Sequence, residues 1–294
     1  MSNLKTKYPL ISVIMPVYNS GEFLAPAIVS ILSQSYKNFE FIIVDDASTD
    51  NSWKTIRSFA KADKRIRIYR NSINLGVSLT ANIATSHAKG RYLARMDSDD
   101  ISSPDRLQKQ INFFKKHPQT ILIGGQCTII NELNQVIGYK NFPLSPHEAL
   151  MDMLFWAVPI QQGFMMINLQ KLPSNFTWYE AGKKTAEEID LFFRLSEYGK
   201  FANLADNLYF YRQLSGSLSH QNPKKTFYLT LQSRLLAVKN GYQPSIKAWF
   251  LNFAQIFLVA ILPTSAIYNI WYLVRGVSQL KLRLVPTSLS STKA

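Results

Sequence analysis

The stretch RYLARMDSDDISSPDRL (91–107) passes from an apolar run into three carboxylates, Asp97, Asp99 and Asp100, and then into a segment of helical character. Like charges this close repel one another, and burying them unpaired is costly. Two readings compete: an ordinary turn solvated by water, or a corner that holds a cation. In both, the order strand, acidic loop, helix is the unit from which the rest of the fold is read.

Upstream, the same unit recurs. LISVIMPVY (10–18) reads as a buried strand and EFLAPAIVSILSQ (22–34) as the helix after it. FEFIIVDD (39–46) is a second strand, and residues 51–62 form a helix opened by a Ser/Thr/Asp cluster. RIRIYR (65–70) is a third strand, residues 77–88 a third helix, and RYLARMD (91–97) the fourth strand. Downstream, SSPDRLQKQINFFKK (102–116) has a cap-type serine followed by a proline, which predicts a helix start, and TILIGGQCTII (120–130) resumes strand character. Strands with apolar centres alternating with helices predict an α/β fold, a mostly parallel sheet covered on both faces. Ligands of such sheets bind beyond the carboxyl ends of the strands. Asp45/Asp46 and Asp97/Asp99 end two of them, so both pairs are expected on one edge. The second half is less regular, with short strands around 163–168 and 205–212 and a helix over 187–198.

The totals bound the class. At 294 residues, with 47% hydrophobic and 18% charged residues, the chain is a folded globular protein of one large or two smaller domains. A single cysteine, Cys127, excludes an internal disulfide framework and a multi-cysteine zinc site, and is expected as a buried thiol. Histidines 87, 117, 147 and 220 show no metal-ligand spacing. The opening MSNLKTKYPLISVIMPVYN breaks its apolar run at Pro16, which favours a first strand over a signal peptide and a soluble part facing the cytoplasm.

The net charge of +14 is unevenly spread. No acidic residue follows Asp206, whereas ten cations do: Arg212, Lys224, Lys225, Arg234, Lys239, Lys247, Arg275, Lys281, Arg283 and Lys293. Such a tail suits an anionic surface. Residues 248–274 pass without a charge, longer than the ~20 needed to span a bilayer. Asn252, Gln255, Asn269 and the Pro263–Thr264–Ser265 break weigh against spanning, and Trp and Tyr at both ends resemble interfacial anchors. A buried hairpin, a spanning helix and two interfacial helices hinged at Pro263 are the competing readings. Basic flanks on both sides favour the interfacial one. A long apolar block argues for membrane over nucleic acid.

Three acidic segments could carry chemistry. VDDASTDNS (44–52) is either a helix-capping turn or a site where Asp46 accepts from the edge of a base with Asp45 near the sugar. DSDD (97–100) can aim two carboxylates at one point, and a hard ion such as Mg²⁺ or Mn²⁺ needs no more if a diphosphate and water supply its other oxygens. AEEIDLFFRL (186–195) either complements a helix dipole or supplies Glu188 as a general base.

Taken in order, PVYN (16–19), VDDASTD (44–50), NLGVSLTAN (74–82), RMDSDD (95–100), AEEIDLFFRL (186–195) and LYFYRQLSGSLS (208–219) resemble the family-2 glycosyltransferases of the GT-A fold, over about residues 8–220. That resemblance implies an inverting transfer of a sugar from a nucleotide-diphosphate donor to an acceptor hydroxyl. It implies that Pro16 and Tyr18 line the nucleotide pocket and that Asp46 holds the base with Asp45 in support. Asn74, Gly76 and Asn82 would shape the loop and helix near the nucleotide. Asp97 would lie near ribose and diphosphate, Asp99 would bind the divalent ion, Asp100 would share that corner, and Arg212 would face the diphosphate. The family's usual Glu-Asp pair is Glu187–Glu188 here, so Glu188 takes the base position with its carboxylate moved about 1.5 Å by the extra methylene. The role of His220 stays open.

The implied organisation is a GT-A domain over 1–222, with a nucleotide-sugar half to about residue 127 and an acceptor half from 128, followed by a membrane-associated helical tail over 223–294. Together these predict a transferase at the cytoplasmic face of a membrane, acting on a glycan or lipid-linked acceptor in surface polysaccharide or lipid-linked glycan synthesis. Three rivals remain. A nucleotidyltransferase would need a basic signature at the phosphates, which is missing. A nucleotide-sugar binder without turnover would lack a competent base. A membrane scaffold would have no use for intact VDD and DSDD.

Overall fold

The computed structural model describes residues 8–180, 187–214, 223–264 and 266–267. Among the described residues nine strands form one sheet. They are β1 (Ile11–Val17), β2 (Phe39–Asp45), β3 (Ile66–Arg70), β4 (Tyr92–Arg95), β5 (Ile101–Ser102), β6 (Thr120–Ile130), β7 (Val136–Lys140), β8 (Met166–Asn168) and β9 (Lys200–Arg212). The helices are α1 (Leu24–Leu32), α2 (Ser52–Ala62), α3 (Val77–Ser86), α4 (Arg106–Lys116), α5 (His147–Leu154), α6 (Glu187–Ser196), α7 (Pro223–Lys239) and α8 (Ile246–Ile261).

The strand order is β3-β2-β1-β4-β8-β6-β9-β5, with β7 also on β6. Pairings among β3, β2, β1 and β4 are parallel, as expected of the first half. The sheet as a whole is mixed, which corrects the mostly parallel expectation: β8 runs antiparallel to both β4 and β6, and β7 and β5 are antiparallel to β6 and β9. The physical reason lies partly in a tight hairpin between β6 and β7. There Asn131 Oδ1 accepts from the N–H groups of Leu133 and Gln135, and Asn134 takes a positive φ of 60°. This Asx turn returns the chain at once where a parallel connection would need a helix.

Side chains alternate between two cores, as the period of a strand demands. Ile11, Val13, Met15 and Val17 join Phe41, Ile43 and the buried faces of α1, α2 and α4. Ile14, Ile42 and Val44 join α3, α5 and α6 on the opposite face. The tail helices belong to this second layer, where Ala237 and Ala248 are buried with it. Residue 127 lies inside β6, so the two expected halves share one continuous sheet.

Several boundaries differ from the expectation, two of them by four residues or more. The predicted helix at 102–116 begins only at Arg106, after Ile101 and Ser102 pair with Phe210 and Tyr209. Ser102 and Ser103 are therefore not its cap. The strand predicted at 205–212 extends back to Lys200, alongside β6. Among the described residues no helix is long and apolar enough to cross a membrane. The second predicted tail helix, Trp271, Tyr272 and His220 lie outside the described residues.

Candidate active site

The loops after β1, β2 and β4 meet on one edge. After β1, the N–H groups of Asn19, Ser20 and Gly21 donate to Ser48 Oγ, Ser52 Oγ and Asp50 Oδ2, all in or just after the turn following β2. Asn19 returns the contact by accepting from the Thr49 N–H at 2.9 Å. Ser20 Oγ lies 2.5 Å from Ser98 Oγ, which ties in the acidic loop after β4. Both acid pairs thus share one rim, which also carries half-exposed Tyr18 just beyond buried Pro16.

Within that rim each carboxylate has a distinct environment. Asp45 is fully buried; its Oδ2 pairs with Arg70 Nε at 2.9 Å and its Oδ1 has no hydrogen-bond partner. Asp46 accepts from Asn71 Nδ2 at 2.7 Å and the Leu75 N–H at 2.9 Å on one oxygen, and from the Gly76 N–H at 2.8 Å on the other. Asp46, the expected acceptor for a base edge, thus latches the 71–76 loop with both oxygens. Gly76 opens α3 at a φ of 85°, a conformation that favours glycine. Asn74 is exposed at the tip of the loop. Asn82 exchanges two hydrogen bonds with the backbone of Tyr179, at 2.8 and 3.0 Å, and so joins α3 to a segment 97 residues away.

The DSDD corner is surrounded by three fully buried arginines, Arg95, Arg106 and Arg212. Arg95 Nε meets Asp97 Oδ1 at 3.2 Å, and the Asp97 N–H donates to Tyr209 Oη. The other oxygen of Asp97 lies where a Cβ on Gly163 would fall, at 2.6 Å. Arg106 reaches the Arg95 carbonyl at 2.5 Å and sits over the Tyr209 ring; burial lowers its pKa to about 10 while Tyr209 and Asp97 partly restore it. Arg212 was expected to face the diphosphate. Its guanidinium donates to the carbonyls of Asp99 (2.8 Å) and Asn131 (2.9 Å) and to Asn134 Oδ1 (2.7 Å), over the ring of Phe23. Its donors thus hold the backbone of the acidic loop and the β6–β7 hairpin.

Asp100 is buried, with Oδ1 on the Arg212 N–H at 2.6 Å and Oδ2 without a hydrogen-bond partner of normal geometry. Burial and the neighbouring aspartates push its pKa well up. Asp99 is pushed up to about 6, first by burial and then by Asp97. Among the described residues no cation lies within ion-pair distance of the Asp99 carboxylate. Nor do three or more metal-binding side chains converge anywhere among them.

Arg95, Arg106, Tyr209, Gly163 and Tyr179 were not singled out from the sequence. Arg95 carried a signal, a cation inside an apolar strand, and Arg106 opens the helix just after the acidic loop; Gly163, Tyr179 and Tyr209 come from elements distant in sequence. Glu188 is partly buried in the first turn of α6. Asp190, in the same helix, is held by Arg194 at 2.9 Å. Cys127 is a buried thiol whose pKa burial raises to about 11, as expected of an inert one.

Residues 12–173 match the family model described as "Glycosyl transferase family 2". The chain belongs to that family. The matched span carries every acid of the rim and stops short of α6 and β9, which hold Glu188 and Arg212. This family-2 glycosyltransferase is 35% identical over 218 residues to EpsE of Bacillus subtilis, covering 73% of this chain and 77% of the relative. It is 36% identical over 129 residues to the UDP-Glc:alpha-D-GlcNAc-diphosphoundecaprenol beta-1,3-glucosyltransferase WfgD of Escherichia coli, covering 44% and 49%. The fold is similar to that of S. aureus TarS 1-349 in complex with UDP-GlcNAc, with a TM-score of 0.65 at 18% identity over 82% of this chain and 70% of that one. It is also similar to the mannosyltransferase PcManGT from Pyrobaculum calidifontis in complex with GDP-Man and Mn2+, with a TM-score of 0.59 at 15% identity over 91% and 86%.

Proposed function

We propose that this glycosyltransferase moves a sugar, with inversion, from a nucleoside-diphosphate donor on the rim to an acceptor hydroxyl in the assembly of a cell-surface or lipid-linked glycan. One observation carries the reading. Asp97 is paired with Arg95 and Asp100 with a backbone N–H, whereas among the described residues no cation lies within ion-pair distance of Asp99, on which Arg212 acts only at longer range. The donors bound by TarS and PcManGT, and the lipid diphosphate in the name of WfgD, support the choice of donor and acceptor class.

The corner fits a divalent cation, Mg²⁺ or Mn²⁺. Its carboxylates offer hard oxygens, and one or two of them suffice when diphosphate oxygens and water complete the shell. Asp99, with Asp97 beside it, would hold the ion, which when bound neutralises charge on the diphosphate. The protein supplies the rest. The base lies against Tyr18 and the 71–76 loop that Asp46 shapes. In the transfer the acceptor oxygen bonds to the anomeric carbon as the bond from that carbon to the diphosphate oxygen breaks, and the electron pair leaves on the diphosphate. Glu188 takes the acceptor proton. Asp190 is already held by Arg194 and does not compete for that role.

Calorimetric titration with UDP, GDP and TDP, with and without Mn²⁺, tests the donor site. One of the three binds, and more tightly with the ion; a folded protein that binds none has no nucleotide corner. Glu188→Gln lowers turnover by about 10²- to 10⁴-fold with diphosphate binding retained. Turnover near that of the parent would move the base to another residue.

A further inference from the structure

We propose that the outer face of α8 is a membrane-docking surface that lies flat in the interfacial layer of an anionic bilayer. The proposal goes beyond the transferase reading and stands or falls apart from it. Ile246, Phe250, Phe253, Phe257 and Ile261 follow one another at helical spacing and are 60–90% exposed. A globular protein ordinarily turns such a stripe to its core.

Here the same helix turns its amides inward. Asn252 is buried and accepts from Arg234 at 3.2 Å, and Gln255 accepts from the same guanidinium at 3.3 Å. Arg234 also donates to the Leu154 carbonyl at 3.2 Å, and Gln255 Nε2 to the Trp156 carbonyl at 2.6 Å. At the start of α8, Ser245 is held by both oxygens of Asp152, at 2.9 and 2.7 Å, and caps the Ala248 N–H. Trp249 packs edge-on against Phe155 at 4.8 Å. The helix is thus fastened at its start and middle to the body of the protein, and the apolar row is presented rigidly.

A helix with polar groups inward and phenylalanines outward suits a surrounding medium that is itself apolar. The 16 residues of α8 span about 24 Å, shorter than a bilayer core, and the row runs the whole length of the helix. Both facts favour lying in the interface over crossing it. Charge selects the occupant. Lys225, Lys239 and Lys247 are exposed in the two tail helices, and no acidic residue follows Asp206 anywhere in the chain. An anionic leaflet attracts that surface, whereas a second copy brings the same positive charge against it.

Flotation of the full-length protein with vesicles tests this. The vesicles are phosphatidylcholine alone, or phosphatidylcholine and phosphatidylglycerol in equal parts. The parent floats with the mixed vesicles and does so less at high salt. The triple variant Phe250→Gln, Phe253→Gln, Phe257→Gln binds them at least about tenfold more weakly, with unchanged Tm and unchanged nucleoside-diphosphate affinity. A parent that stays at the bottom of the gradient overturns the proposal. So does a triple variant that floats like the parent, which would assign the membrane to residues 268–294. A parent dimer that the substitutions convert to monomer would instead assign the face to a second copy and overturn it equally.

Discussion

At neutral pH the carboxyl of Asp99 is ionised against its own burial and against the charge of Asp97. Its pKa in the folded protein, about 6, lies above the ordinary 3.8. The native state therefore binds this proton more tightly than the unfolded chain does. Stability from this group is fully present below about pH 4 and is lost as pH rises to 6, by up to about 3 kcal/mol. Asp99→Asn should accordingly be more stable than the parent at pH 7 without ligand. That advantage should shrink on acidification from pH 6 to 4, as measured by urea unfolding across the range; an advantage independent of pH would show that the strain is not electrostatic. The same substitution should remove the strengthening of diphosphate binding by Mn²⁺. In the parent, ion binding should weaken as pH falls through 6, because protons compete for the same oxygens. Gly163→Ala tests the neighbouring carboxylate. A methyl group there falls 2.6 Å from Asp97 Oδ2, so the side chain must move, and nucleotide binding should weaken more than stability does. Calorimetry beside a melting curve separates the two.

The rim is made by loops that hold one another, with no single motif sufficient. Asp46 illustrates this, for its three hydrogen bonds all end on the 71–76 loop. Asp46→Ala should release that loop while leaving β2 in place: amide exchange should rise at Leu75 and Gly76, and donor affinity should fall by tenfold or more. Unchanged exchange would show that Gly76 holds the loop by its own conformation. This is also where legibility in the sequence ends. VDD and DSDD could be placed on one edge because two apolar strands of matching polarity end in them. The direction of the Asp46 side chain could not, since two of its three partners are backbone N–H groups, which every residue has. Arg212 shows a related limit: a cation near a diphosphate motif reads as a ligand, and its partners in the fold, the Asp99 carbonyl and carbonyls of a hairpin about 80 residues away, leave no trace in the sequence. The mixed sheet escaped notice because a strand of three residues such as β8, though placed near 163–168, gives no sign of its direction.

At the scale of the molecule, the β6–β9 seam joins the first half of the sheet to its last strand. The seam is tight. A Cβ on Gly124 would fall 2.6 Å from Asn203 Oδ1 and 2.7 Å from Ile160 Cγ2. Gly124→Ala should therefore cost about 1–3 kcal/mol of stability, read by urea unfolding, with donor affinity per folded molecule unchanged. A neutral result would mean that the strands part without cost. The tail helices extend the second core, which is why the amides of the tail weighed against a spanning segment in the sequence and became its internal fastening in the structure. The seam also orders events in time. Asp97 and Asp100 are held by Tyr209 and Arg212, 112 residues downstream. A ribosome delivers those aspartates long before it delivers their holders, so the nascent chain carries an unassembled acidic corner through the synthesis of everything between. Sugar-donor binding is therefore a late event in the birth of this enzyme, and a chain released before β9 would be made of the right motifs and bind nothing.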